Sequence, residues 1–137
     1  MTGPLDSLPT WALSVAATRS HRTLHRRLAA AGVTGYEFRC LAVLAATDRV
    51  SQKELGEAAA LDPHDVTQTV RVLEGRGLVT READPSHGRR ILVSSTTAGR
   101  RAYEELLAVM TQVQDEVFGR LSADERSVLL ELLARVG

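Results

Sequence analysis

At 137 residues the chain has the length of one domain, and its formal net charge is zero, with 17 Lys+Arg against 17 Asp+Glu. An apolar content of 44% with only 4% aromatic residues, carried by Ala, Leu and Val, suits a mainly helical protein and argues against a β-sandwich. No run approaches the ~20 apolar residues of a membrane span, and Met1-Thr2-Gly3-Pro4 lacks the basic start and apolar block of a secretory signal, so the chain is expected in the cytoplasm, away from membranes.

Residues 1–8 read as a loose leader. Pro9-Thr10 opens a long helical pattern to about Ala31, with Leu13, Ala17, Ser20, Leu24 and Leu28 on one side and Arg19, Arg22, Arg26 and Arg27 mostly on the other; Gly32 stops it. A helix of some twenty residues spans roughly 30 Å, long for so small a domain, and implies packing outside its own subunit. His21 and His25 stand four apart on it, a spacing that can chelate zinc when further ligands join. None is evident nearby in sequence, so no metal or other cofactor is expected.

Thr34-Gly35-Tyr36-Glu37 and Ser51-Gln52-Lys53-Glu54 both fit the capping box, in which hydroxyl and carboxylate each satisfy an amide at a helix start. The first predicted helix, to about Ala46, buries Phe38, Leu41 and Leu44 or Ala45. The second, to Ala59 or Ala60, turns Leu55 and Ala58 to the core. Cys40, the single cysteine, lies between Phe38 and Leu41 with no partner thiol, which excludes an internal disulfide and a cysteine-based zinc site. It reads as a buried thiol, with a redox sensor as the alternative.

Asp62 followed by Pro63 marks the next start, because an Asp side chain caps free amides and proline's missing donor costs nothing in a first turn. Val66, Val70 and Leu73 repeat at helical spacing and leave His64, Thr67, Gln68 and Arg71 on a polar outer arc. Gly75 and Gly77 can supply the left-handed conformation that ends this helix. Leu78-Val79-Thr80 and Ile91-Leu92-Val93 are then β-prone runs on either side of ADPSHGRR, a hairpin whose tip carries Arg89 and Arg90. Two short helices, a tight turn between them and a following hairpin make a winged helix-turn-helix over residues 34–96.

From Thr96 or Thr97 a second long helix runs to about Arg120, with Tyr103, Leu106, Leu107, Met110, Val113, Val117 and Phe118 covering too wide an arc for one-sided burial. A last helix starts at a third capping box, Ser122-Ala123-Asp124-Glu125, and offers Val128, Leu129, Leu132, Leu133 and Val136. Residues 9–31 and 97–137 therefore carry more apolar surface than a core of this size absorbs, and homodimerisation is the simplest solution. The charge is uneven as well: residues 1–31 hold four arginines against one aspartate, and residues 102–137 hold three basic against seven acidic side chains. A zero sum does not exclude nucleic acid, because phosphate attraction depends on the local patch within about 8–10 Å.

The stretch DPSHGRRILVSSTTAGR, with Asp84-Pro85, Arg89, Arg90, Val93, Thr96 and Gly99, resembles the wing of the MarR family of bacterial transcriptional regulators, and LEGRGLVTR from Leu73 to Arg81 resembles the family's link into that wing. The resemblance covers nearly the whole chain. It departs at His87, where the family has an acidic residue two positions before the wing arginine, and at Ser95, where it has leucine; Asp84 stands as the substitute partner for Arg89. The resemblance implies a mainly α homodimer with six helices and a wing, which reads a pseudo-palindromic double-stranded operator, usually represses, and is released by a small-molecule effector.

On that reading Arg71 takes a guanine or a phosphate, Gln68 an adenine, Thr67 and His64 phosphates or single hydrogen bonds, and Pro63 a thymine methyl. Ser51 and Gln52 assist the amides at their helix start in holding a phosphate. Arg89, and secondarily Arg90 with His87 beside them, reach a minor groove. Trp11, Tyr36, Phe38 and Tyr103 are the candidates for an effector pocket. The alternatives are a thiol- or metal-responsive regulator using Cys40 or His21/His25, and a winged-helix module that binds protein. No nucleophile–base order, phosphate-binding glycine loop or metal-ligand cluster can be assembled, so the chain is not expected to be an enzyme.

Overall fold

Every helix after the first begins where a side-chain oxygen covers an amide that the helix itself leaves free. In the computed structural model, which describes residues 3–137, Thr34 caps α2 (Gly35–Ala45), Ser51 caps α3 (Gln52–Ala59) and Asp62 caps α4 (Pro63–Gly75). Thr96 caps α5 (Thr97–Val117) and Ser122 caps α6 (Ala123–Leu133). α1 (Pro9–Ala30) has no side-chain cap and opens on proline instead. Met1 and Thr2, the start of the expected leader, lie outside the described residues.

Of the three expected capping boxes, only Ser122–Glu125 closes in both directions. Glu37 and Glu54 each donate a backbone N–H to their cap but send their carboxylates elsewhere, Glu37 to Arg76 and Glu54 to Arg90, both at 2.6 Å. A guanidinium within reach offers a carboxylate a charge-assisted bond, which outweighs a single exposed amide.

Three strands form an antiparallel sheet in the order β1-β3-β2, with β1 (Val50–Ser51), β2 (Val79–Asp84) and β3 (His87–Ser95). The hairpin is longer than its β-prone runs suggest. Its turn is Pro85-Ser86, so Arg89 and Arg90 lie on β3 and not at the tip. Between the pairs Ala83↔Ile91 and Asp84↔His87 the register slips, leaving residues 88–90 without partners on β2. Gly77, at φ 75°, takes the left-handed conformation after α4; Gly75 remains helical. Ala60 adopts the same region at φ 57°, turning the chain from α3 into α4 at a strain cost that glycine would avoid.

The core gathers where α2, α3, α4 and the sheet meet. Leu41, Leu44, Leu55, Val70, Leu73, Val79 and Val93 are fully buried there, with Leu28 of α1 and Leu106 of α5 joining from outside. Each such aliphatic side chain contributes about 1.5–3 kcal/mol of burial. Ala59 and Gly56 face this core on α3, whereas Ala58 is exposed, one residue out of the expected phase. Phe38 is half-buried against it and Ala45 is exposed, so Leu44 is the deep residue of that turn. α1 is fastened to α5 by Arg26 and Arg27, which share Glu116 at 2.6 and 3.1 Å, and by an Arg27–Gln112 hydrogen bond.

Candidate nucleic-acid interface

Helices α3 and α4 cross closely because Gly56 has no side chain: a Cβ there would lie 3.2 Å from both Leu61 O and Val66 Cγ1. That approach lets Gln52 Nε2 donate to Thr67 Oγ1 at 3.1 Å, while Thr67 Oγ1 donates to Pro63 O at 2.7 Å. The starts of the two helices thus form one hydrogen-bonded edge. Opposite it stands the wing, and the two enclose an open cleft of about 840 Å³ lined by Ser51, Gln52, Pro63, Thr67, His87, Arg89 and Arg90, among others.

Seven of the ten residues assigned to DNA from sequence meet at this cleft. The other three, His64, Gln68 and Arg71, are exposed along the adjoining face of α4 at i, i+4 and i+7. Gln68 also lines a second groove, behind the first. The outward face of α4 is polar apart from Val72, which is 48% exposed.

The residues differ in how free they are. Ser51 is buried and its Oγ accepts Glu54 N–H, so it enters the site as a cap. The Thr67 hydroxyl already donates within its own helix. Gln52 Oε1 is buried without a hydrogen-bond partner. Arg89 has no hydrogen bond or ion pair among the described residues, whereas Arg90 Nη2 donates to Glu54 Oε1 at 2.6 Å.

Asp84 does not serve Arg89. It accepts from both N–H and Oγ of Ser86, bonds that hold its carboxyl below the ordinary carboxylate range, and its nearer arginine is Arg90, with Nε at 3.8 Å. The expected pairing of Asp84 with Arg89 is not formed, because the Asp84 carboxylate is taken up by Ser86 and by Arg90. The Asp65 amide likewise holds the Asp62 carboxyl low, keeping a negative cap on the start of α4.

The second groove, about 820 Å³, lies between α1, α2, α4 and α5 and is lined by His21, Leu24, His25, Tyr36, Phe38, Arg39, Gln68 and Met110, among others. Arg39 stands 5.4 Å over the Tyr36 ring. Of the four aromatic candidates, Tyr36 and Phe38 line this groove. Tyr103 stacks on Phe38 at 6.0 Å and does not line the groove, and Trp11 is exposed towards the start of α1. His21 and His25, whose spacing suggests a metal pair only if further ligands join, line the groove instead. Their i, i+4 spacing also places both on one wall, a signal that helical phase alone contained.

No group of three or more His, Cys, Asp or Glu side chains among the described residues is arranged to hold a metal ion. Cys40 is fully buried, and that burial pushes its thiol up to about 11, which disfavours the reactive thiolate. No single helix among the described residues is long and apolar enough to cross a membrane.

A family model described as the MarR family matches residues 31–90. A Mycobacterium tuberculosis protein described as an HTH-type transcriptional repressor is 31% identical over 106 residues, which are 77% of this chain and 76% of that protein. The chain spans 66% of the length of a similar regulator from Bacillus subtilis. Among solved structures, a probable transcriptional regulator from Pseudomonas aeruginosa superposes with a TM-score of 0.84 at 34% identity, covering 96% of this chain and 98% of that one. Bordetella bronchiseptica BpsR, whose DNA binding is regulated by 6-hydroxynicotinic acid, superposes with a TM-score of 0.81 at 27% identity, covering 90% and 94%.

Proposed function

The chain belongs to the MarR family of DNA-binding transcriptional regulators, and from that premise we propose that it is a homodimeric repressor, released from a pseudo-palindromic operator by a small-molecule effector. The observation that carries the reading is the cleft itself: the capped starts of α3 and α4 face a wing whose Arg89 is unpaired among the described residues. The start of α3, capped by the neutral Ser51 hydroxyl, presents amides and a positive dipole end to phosphate. The adjoining face of His64, Gln68 and Arg71 then meets base edges in the major groove, and Arg89 enters the minor groove beside it. In a dimer the two reading heads fit half-site centres about 34–36 Å apart.

The second groove suits the effector. Arg39, His21 and His25 line it together with Tyr36 and Phe38, a set that matches a small aromatic acid, and Gln68 of α4 lines it as well. A ligand seated there touches the reading helix directly. Support for repression comes from the naming of the mycobacterial relative, and support for an aromatic acid from the Bordetella one.

The test is a salt titration of DNA affinity. Arg89→Ala is expected to weaken binding to a duplex selected from a random pool by the wild type and to lower the slope of log affinity against log salt by about one phosphate equivalent. Unchanged affinity and slope would remove Arg89 from the interface.

A further inference from the structure

The two neighbouring wing arginines do different work. Residues 88–90 have no partners on β2, so the regular ladder is interrupted at the backbone that carries Arg89. A bulged segment of this kind re-aims its side chains and needs anchoring from elsewhere. Arg90 supplies the anchor: Nη2 donates to Glu54 Oε1 at 2.6 Å, and Nε stands 3.8 Å from Asp84 Oδ2. Glu54 is free to receive it because its carboxylate does not turn back to close the capping box at Ser51.

We propose that Arg90 is a positioning residue, latched through Glu54 to the start of α3 and through Asp84 to β2, and that this latch sets where the unpaired Arg89 enters DNA. Arg90 on this account is not itself a DNA contact. The inference rests on the DNA-binding reading above.

Charge separates the two roles by sign. Glu54 lies in the DNA-facing cleft, where its negative charge repels phosphate. Were Arg90 a phosphate contact, neutralising Glu54 would release the arginine, remove the repulsion and tighten binding. For a latch the same change loosens the wing and weakens binding, although the protein has become more positive.

The experiment measures fluorescence anisotropy of the full chain on the selected duplex over a range of salt. Glu54→Gln and Arg90→Ala are each expected to weaken binding about two- to fivefold, the range of an exposed ion pair. The double variant should bind no worse than Arg90→Ala alone, and Arg90→Ala should keep the wild-type salt slope. Tighter or unchanged binding by Glu54→Gln, additive losses, or a slope reduced by about one in Arg90→Ala would overturn the latch. Amide exchange of residues 84–91 in the free protein gives a readout without DNA: faster exchange in both variants supports the latch, and unchanged exchange overturns it. If the wild type selects no duplex from the pool, the DNA-binding reading fails, and exchange alone then decides the latch.

Discussion

Glu37 shows how one side chain can tie three elements together. It is 8% exposed at the start of α2, and its carboxylate accepts from Arg76 Nη1 at 2.6 Å. The same Nη1 donates to Gly32 O at 3.2 Å, so the residue after α4 is joined to the turn between α1 and α2. Exposed ion pairs contribute about 0–1 kcal/mol, but removing the partner of a buried carboxylate leaves an uncompensated charge. Arg76→Ala is therefore expected to destabilise the protein by about 1–3 kcal/mol in urea unfolding. A loss under about 0.5 kcal/mol would place the pair with ordinary surface bridges. Local sequence could not show this. The pattern at Thr34 to Glu37 reads as a closed capping box because the competing guanidinium is 39 residues away, and Arg90 is likewise 36 residues from Glu54. In both boxes the hydroxyl half of the cap forms as local sequence specifies, and tertiary contacts take the carboxylate half.

At the scale of elements, the wing meets α5 through a close backbone approach. Thr96 Oγ1 accepts Gly99 N–H at 3.0 Å and donates to Gly77 O at 2.7 Å, which brings the first turn of α5 against the turn after α4. A Cβ on Gly99 would lie 2.0 Å from Leu78 O. The glycine is required by proximity, not by a left-handed backbone. Gly99→Ala is expected to cost more than about 2 kcal/mol, because the obstructing atom is backbone and the chain leading into β2 would have to move. Thermal unfolding checks it, and a change within about 0.5 kcal/mol would mean that α5 shifts freely. The six helices are legible because apolar phase agrees with a capping residue at five of the starts and with Pro9 at the first. β1 is not, since two residues carry no alternation and exist as a strand only through Val93 and Leu92 opposite them. Strand β2 of the wing is longer than its β-prone run for a related reason: Glu82 has little β propensity, and pairing of Arg81 with Val93 and of Glu82 with Leu92 extends β2 past that run.

At the scale of the whole molecule, α1, α5 and α6 leave apolar side chains uncovered. No residue of α6 is buried; Leu130 is 73% exposed and Leu132 and Val128 about half, while Trp11 and Leu13 of α1 and Leu107 of α5 are also exposed. An isolated helix of 11 residues is below the ~12–15 needed for even marginal stability in water. The proposed dimer removes both difficulties by burying these faces against a second copy. The candidate site divides along the same line. The residues that line the cleft between the wing and the starts of α3 and α4 follow from the ordered helix, turn and wing, whereas the groove wall at His21, His25 and Arg39 depends on how α1 lies over α2, which no local pattern specifies. Leu130→Asp distinguishes the two states of assembly. In a monomer, a residue this exposed can take a charge at a cost within about 0.5 kcal/mol. In a dimer that buries Leu130, the aspartate is desolvated without a partner, so the variant should fall from twice the chain mass of 14.9 kDa to the monomer mass in light scattering. Its DNA affinity should drop by about 10²–10⁴, because two linked heads would become two independent ones. A wild type that stays monomeric at micromolar concentration, or a Leu130→Asp variant that keeps both mass and affinity, would show that α6 does not form the interface.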